Sequence, residues 1–478
     1  MDTVASSKSR PSGIRGFFSR PASVFIVFFV IYLITWPGHY TTGDGAIKID
    51  WARGVLFRGS SKLDPAIGGV HEYSYFPVGH TLLSVPPLLA SKLIHDTTGI
   101  RCEAVLYTIL FILNGALFLY LVARYLWPIY GARRSWATVA ILGLATIWWP
   151  YTKLDFTDPI FVTVLFGSFL LLRSGRVGWG MLLAGFAWNL RAEGLLYIGV
   201  LGLWHLWRTR RLVDIPLMAL AILPATALNS FGNWLRWDTW SVVVRSTAYN
   251  QPLFDYPFLS GFFGLLLSPG KGVFWFTPPL LLGVMGWNRY RNRESTRADA
   301  WLFAALFAMS LALYSRFTYW SGDDTWGPRY MICAVMVMTI PVIEILHRKN
   351  IVGALFAVGV SIQLLAVILP PLEYVMMLRE GSGSRPKLFG APGRNEVDHE
   401  EMLFHPHYGQ LPGHWTLLRV LAGWPPAPHS KPLTGGAGLP IYDCFPPEVW
   451  QRHATPDFIW WRLVANKTGG VSTTAPGR

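Results

Sequence analysis

Acidic, basic and glycine-flanked residues recur in short polar islands of an otherwise apolar chain. The first island reads Thr41-Thr-Gly-Asp44-Gly45-Ala-Ile-Lys48-Ile-Asp50-Trp-Ala-Arg53. After the glycine turn, Ala46, Ile47, Ile49, Ala52, Val55 and Leu56 alternate with Lys48, Arg53 and Arg58, the pattern of an amphipathic helix lying on a membrane. Asp44 stands at the start of that helix, where an aspartate caps the end and complements the helix dipole. A capping carboxylate still has the chemistry of a general base, so Asp44 is a candidate catalytic residue. Asp50 reads as a residue of the solvated face.

A second island, Lys153-Leu-Asp155-Phe-Thr-Asp158-Pro159, separates two apolar runs. Asp158 followed by Pro159 fits an aspartate cap with proline in the first helical turn; Asp155 has no such explanation. A carboxylate deep in a helical bundle costs roughly 2–3 kcal/mol, so each needs a partner or a cavity, and both join Asp44 as candidate catalytic residues. The third island, Trp188-Asn-Leu-Arg191-Ala-Glu193, supplies partners. Arg191 and Glu193 either tie helices together through Asp155 or Asp158, or Arg191 holds a phosphate, whose oxygens its planar fork matches. Glu193 and His80, with Asp323 and Asp324 of a later island, are placed among the substrate contacts.

Ser268-Pro-Gly-Lys271-Gly lacks the spacing of a nucleotide-binding P-loop. A lysine between glycines at a helix entrance can hold an anion, or can be an interfacial lysine in a tight turn. Tyr319-Trp-Ser-Gly-Asp323-Asp324-Thr-Trp-Gly-Pro-Arg329 suits a divalent cation, a sugar or a solvated turn. Arg329 joins Arg191 and Lys271 as a candidate phosphate ligand. His405, His407 and His414 have only loose metal spacing, and no metal is assigned. Asn466-Lys-Thr468 matches a glycosylation sequon. Cys102, Cys333 and Cys444 are far apart and imply neither a disulfide framework nor a zinc knuckle.

The elements that must carry these islands are membrane helices. Of 478 residues, 52% are hydrophobic and 14% charged, with 23 Trp; mean hydropathy is +0.34. Soluble domains carry roughly 25% charged residues. The net charge of +14 comes from Lys and Arg clustered between apolar runs rather than spread over one face, which excludes nucleic acid as a partner. Apolar spans fall near 20–37, 103–126, 135–151, 156–173, 177–191, 193–208, 212–232, 273–288, 299–318, 330–346 and 350–370, about eleven in all. The first follows Lys8, Arg10, Arg15 and Arg20 like a signal peptide, but Pro37-Gly-His-Tyr40 is a poor cleavage site, so it reads as an uncleaved span.

With the N-terminus cytoplasmic, Arg133/Arg134, Arg173/Arg176, Arg208/Arg210/Arg211, Arg289/Arg291/Arg293 and His347/Arg348/Lys349 all fall inside. This requires that His80–Leu93, with Pro86 and Pro87 at its centre, does not span but lies on or half within the outer surface. Outside then fall 38–102, Lys153–Asp158, the Arg191–Glu193 turn, the 233–272 loop, Tyr319–Arg329 and the tail. The expected organisation is a transmembrane part, residues 1–370, and an extracytoplasmic extension, 371–478.

The order of parts resembles the GT-C glycosyltransferase superfamily, in particular bacterial members related to protein mannosyltransferases and aminoarabinose transferases. The resemblance spans roughly residues 20 to 370. It rests on the acidic first outer loop, the helix with Ser84-Val-Pro-Pro-Leu88, the span ending Leu119-Tyr-Leu-Val-Ala-Arg124, Lys153-Leu-Asp-Phe-Thr-Asp158-Pro, Leu190-Arg-Ala-Glu-Gly194, and the 268–272 and 319–329 loops. It implies an all-α polytopic enzyme moving a sugar from a polyprenyl-phosphate donor to an acceptor at the outer leaflet. Asp44 would take the place of the family's first-loop carboxylate, although the Asp-Glu pair of the mannosyltransferases is here Asp44-Gly45. A divalent cation is compatible with such a site. The reading from another class is a transporter or lipid flippase using the same charged pairs, but no inverted repeat supports it.

Overall fold

The computed structural model describes residues 17–69, 71–242, 253–322, 325–381, 403–404, 406, 409–424 and 447–461. Among them the fold is all-α and polytopic, with a single antiparallel bridge between Lys62 and Tyr73. The main helices are α1 (Ala22–Ile34), α2 (Gly43–Arg53), α3 (Val78–Thr98), α4 (Glu103–Leu144), α5 (Asp158–Arg173), α6 (Val177–Leu190), α7 (Gly194–Thr209) and α8 (Ile215–Trp237). They continue as α9 (Phe258–Leu267), α10 (Leu280–Asn292), α11 (Arg297–Arg316), α12 (Ile332–Thr339), α13 (Lys349–Ile368), α14 (Glu373–Gly381), α15 (Gln410–Leu421) and α16 (Pro447–His453).

Each of the eleven apolar segments expected from sequence carries helix. The 42 residues of α4 would reach about 63 Å if straight, twice the roughly 30 Å apolar core of a bilayer. The rod is interrupted at Gly131, whose φ of 76° and ψ of 171° lie outside helical space. Two spans therefore meet beside Arg133 and Arg134, as the basic pair implies. By length and hydropathy α4, Leu212–Trp237, α11 and α13 qualify as membrane spans, while α1, α6 and α9 are shorter apolar helices. In Leu212–Trp237 and α13 only 22% and 28% of the most apolar window is buried, against 50% in α4 and α11. α8 and α13 thus lie at the lipid-facing periphery, while α4 and α11 stand nearer the centre.

The helix around Pro86 and Pro87 is α3, 21 residues long, which falls short of a spanning helix on hydropathy. It packs against α2, α4 and α6. Two expectations fail nearby. α2 does not lie on the surface: Lys48, Ile49, Asp50, Trp51 and Ala52 are consecutive and all buried, so no polar face remains. Asp50 is likewise not solvated; it pairs with Arg58 at 2.8 Å and accepts from the Asp64 N–H at 2.8 Å. The covering layer is α3 together with the 73–77 turn. Arg236 at the end of α8 holds that turn, donating to the carbonyls of Ser74 and Phe76 at 2.7 and 2.6 Å and lying 4.3 Å from the Trp51 ring. The 233–272 segment also contains more than loop, since α9 packs on α11. Cys444 and Asn466 lie outside the described residues.

Candidate active site

The first polar loop is built around threonines. Thr42, not Asp44, caps α2, its hydroxyl accepting from the Gly45 N–H at 3.0 Å. Asp44 is thereby released from capping and sits in the first turn, 3.3 Å from Arg329. Thr41 reaches the opposite way: its hydroxyl donates to Asp155 at 2.8 Å, and its own oxygen accepts from the Asp155 N–H at 3.0 Å. Asp155 is fully buried. Burial pushes its carboxyl above the usual aspartate range, against the pull of the Thr42 and Thr41 hydroxyls and the Lys48 charge. A Cβ at Gly45 would overlap this carboxylate, so the glycine beside Asp44 exists to let Asp155 in.

Asp158 is not the cap of α5 either. Thr157 precedes the helix, and Asp158 pairs with Arg191. Arg191 also holds Glu193, which accepts from Tyr314 at 2.5 Å. Burial alone would raise the Glu193 carboxyl; Arg191 and Tyr314 overcome it and hold the group below the usual range. The Arg191 guanidinium lies 5.0 Å from the Tyr330 ring, and Arg329 lies 4.9 Å from the same ring and 4.4 Å from Phe156. One continuous chain of contacts therefore runs from Asp44 through Arg329, Tyr330 and Arg191 to Asp158 and Glu193.

At the centre stands a residue that sequence reading placed on the outer face of a surface helix. Lys48 is buried, its ammonium 4.2 Å from the centre of the Phe76 ring. Among the described residues that ammonium has no hydrogen-bond or ion-pair partner. Burial lowers it to about 8, while Asp44, Arg329, Asp158 and Asp155 all act on it electrostatically. Its position four residues after Asp44 was the available signal, because such residues share a helix face.

The remaining candidates surround this group. His80 is buried on α3, its ring nitrogens 2.9 Å from the Thr157 hydroxyl and 2.6 Å from the Tyr107 hydroxyl. It supports the 157–158 turn from behind. Lys271 is buried and donates to the Thr325 carbonyl, tying its glycine loop to the segment that carries Arg329. His414 faces the carbonyls of Gln410 and Pro370. Asp323, Asp324, His405 and His407 lie outside the described residues. Among the described residues no group of three or more His, Cys, Asp or Glu side chains is placed to hold a metal ion.

No family model matches the chain, and no curated protein does. Its fold is similar to that of ArnT from Cupriavidus metallidurans, in the crystal structure of that protein bound to undecaprenyl phosphate. That match covers 95% of this chain and 89% of ArnT, at 14% identity and a TM-score of 0.52. The apo crystal structure of ArnT covers the same shares at 14% identity with a TM-score of 0.48. The first comparison shows that the chain shares the polytopic helical fold of ArnT.

Proposed function

We propose that this chain with the fold of ArnT is a GT-C-type glycosyltransferase, transferring a sugar from a polyprenyl-phosphate donor to an acceptor at the outer membrane surface. One observation carries the reading. Lys48 is a buried ammonium with no hydrogen-bond or ion-pair partner among the described residues, set in the field of Asp44, Arg329, Asp158 and Asp155, and a buried charge that no group bonds directly is costly. An anion delivered by a ligand supplies the missing partner. That ArnT holds undecaprenyl phosphate makes a lipid phosphate the fitting anion.

The chemistry follows. The acceptor hydroxyl attacks the anomeric carbon and gives its proton to a carboxylate. The bond between that carbon and the phosphate oxygen breaks, and its electrons go to the phosphate. A phosphodiester with one negative charge thus becomes a monoester with nearly two. Lys48 and Arg329 face that increase, and cations whose interaction grows along the reaction lower the barrier. Asp44, half-exposed and at the helix start, is the reachable base. Asp155, bound by Thr41 and shut from solvent, holds the loop; Asp158 and Glu193 fix Arg191 as a further cation beside Tyr330. In this reading the N-terminus is cytoplasmic, residues 1–370 form the transmembrane part, and the tail from 371 is extracytoplasmic.

The test is turnover of a labelled polyprenyl-phosphate sugar by the full chain in proteoliposomes. Asp44→Asn should cut transfer by roughly 10²–10⁴-fold, the usual worth of a positioned base. A variant that folds and turns over like the parent would refute the assignment.

A further inference from the structure

We infer that the C-terminal tail is a clamp with two fingers, in which Asp457 and Gln410 are positioning residues for the two halves of the charged site. The sequence marked the tail only as an extension from residue 371, yet its contacts are aimed. Asp457 is 1% exposed. It lies 3.4 Å from the buried Lys153 ammonium and 2.9 Å from His39 Nε2. Lys153 also donates to the Val367 and Asp457 carbonyls at 2.7 and 2.9 Å.

The backbone around Asp457 is equally engaged. Its N–H donates to the Ile368 carbonyl and that of Ile459 to the Trp36 carbonyl, both at 2.9 Å. Trp460 Nε1 donates to the Ile34 carbonyl at 2.6 Å. Gly38, with φ of 70°, leaves room for this strand: a Cβ there would come 2.5 Å from the Ile459 side chain. These anchors matter for what they adjoin. His39 is two residues from Thr41 and Lys153 two residues from Asp155, and Thr41 and Asp155 hold each other. Asp457 therefore fixes both strands leading into the Asp44–Asp155 side of the site.

The second finger is Gln410, 2% exposed at the start of α15. Its oxygen accepts from the Gly327 N–H at 3.0 Å, and its amide donates to the Thr325 carbonyl at 2.9 Å. His414, one turn on, packs against Trp326 with ring centres 4.8 Å apart. The Leu403 carbonyl accepts from the Gly270 N–H at 3.0 Å. This finger holds the loop that presents Arg329, the cationic side.

A tie that served only stability would be poorly made from a buried ion pair, since desolvation offsets much of its attraction. What such a pair adds is register. Under the proposed function, on which the catalytic consequence rests, the fingers govern different quantities. Asp457 sets the carboxylates and hence kcat; Gln410 sets Arg329 and hence donor KM.

The first measurement does not depend on turnover. Hydrogen exchange on the full-length protein in nanodiscs should show faster exchange at residues 39–46 and 153–158 in Asp457→Asn, with 325–330 unchanged. Gln410→Ala should give the reverse. Uniform exchange in both variants overturns the clamp, whatever the protein catalyses. Where Asp457→Asn folds poorly, Lys153→Met/Asp457→Leu removes both charges together and should still loosen 39–46. In the turnover assay Asp457→Asn should lower kcat about 10–100-fold at constant donor KM, the scale of a roughly ångström-sized misplacement. Asp457→Glu should recover part of that loss. Gln410→Ala should instead raise donor KM. If parent and Asp44→Asn turn over alike while the exchange pattern holds, the clamp stands and the functional reading fails.

Discussion

Lys48 carries the sharpest consequence at the scale of single residues. Its ammonium titrates near 8 in the protein, against about 10.4 in water. A phosphate bound beside it favours the charged form and lifts that value, so above about pH 8 binding must take up a proton. Donor affinity should be level below pH 8 and weaken up to about tenfold per unit above it. Lys48→Met should abolish the slope and weaken binding about 10–100-fold, the worth of a hydrogen bond to a charged group. Donor KM measured from pH 6.5 to 9.5 on both proteins decides it; a flat parent profile would remove Lys48 from the site. Residue types and spacing exposed Asp44, Asp158, Arg191 and Arg329 as charges in need of company. They misplaced Lys48 and Asp50, because alternation of apolar and charged residues looks the same whether the polar face meets water or a second layer. That layer is α3 and the 73–77 turn, and the turn is held by Arg236 from a distant part of the chain.

Among the elements, α4 shows what a local signal can and cannot give. The basic pair Arg133 and Arg134 announced two spans, and the helix is broken just before it at Gly131. The break depends on a backbone angle that side-chain-bearing residues avoid. Gly131→Ala should therefore destabilise the protein by roughly 1–3 kcal/mol, read as a lowered unfolding temperature in detergent. Retained stability would show that the junction can straighten without cost. α9 escaped notice for a different reason. Its ten residues between Pro257 and Ser268 are too few to span, and no periodicity separates such a segment from apolar loop. The capping aspartates failed on a finer point: threonines one or two positions earlier, Thr42 and Thr157, precede the helices and leave both carboxylates to pair with arginines.

For the whole molecule, the proposed sidedness rests on sequence alone, since the positive-inside pattern is a statistical feature of loops and needs no contact map. It yields a direct test. A cysteine replacing Arg133 should react with impermeant maleimide only from the cytoplasmic side, and one replacing the exposed Glu72 only from the outer side. Labelling of both from one side would invert or discard the proposed orientation. The tail was the least legible part. Its ties join Lys153 to Asp457 across 304 residues and Gly327 to Gln410 across 83, and no motif or period announces a pairing at such range.

Gly45 gives the acid pair an unusual address. The residue beside Asp44 carries no side chain, and a carboxylate from another loop, that of Asp155, stands in the space a side chain there would fill. Asp44 and Asp155 are thus neighbours in space although they come from different loops of the chain. It also defines a transplant: Gly45→Glu alone should clash with Asp155 and inactivate, whereas Gly45→Glu combined with Asp155→Gly should restore room, and with it some of the lost turnover.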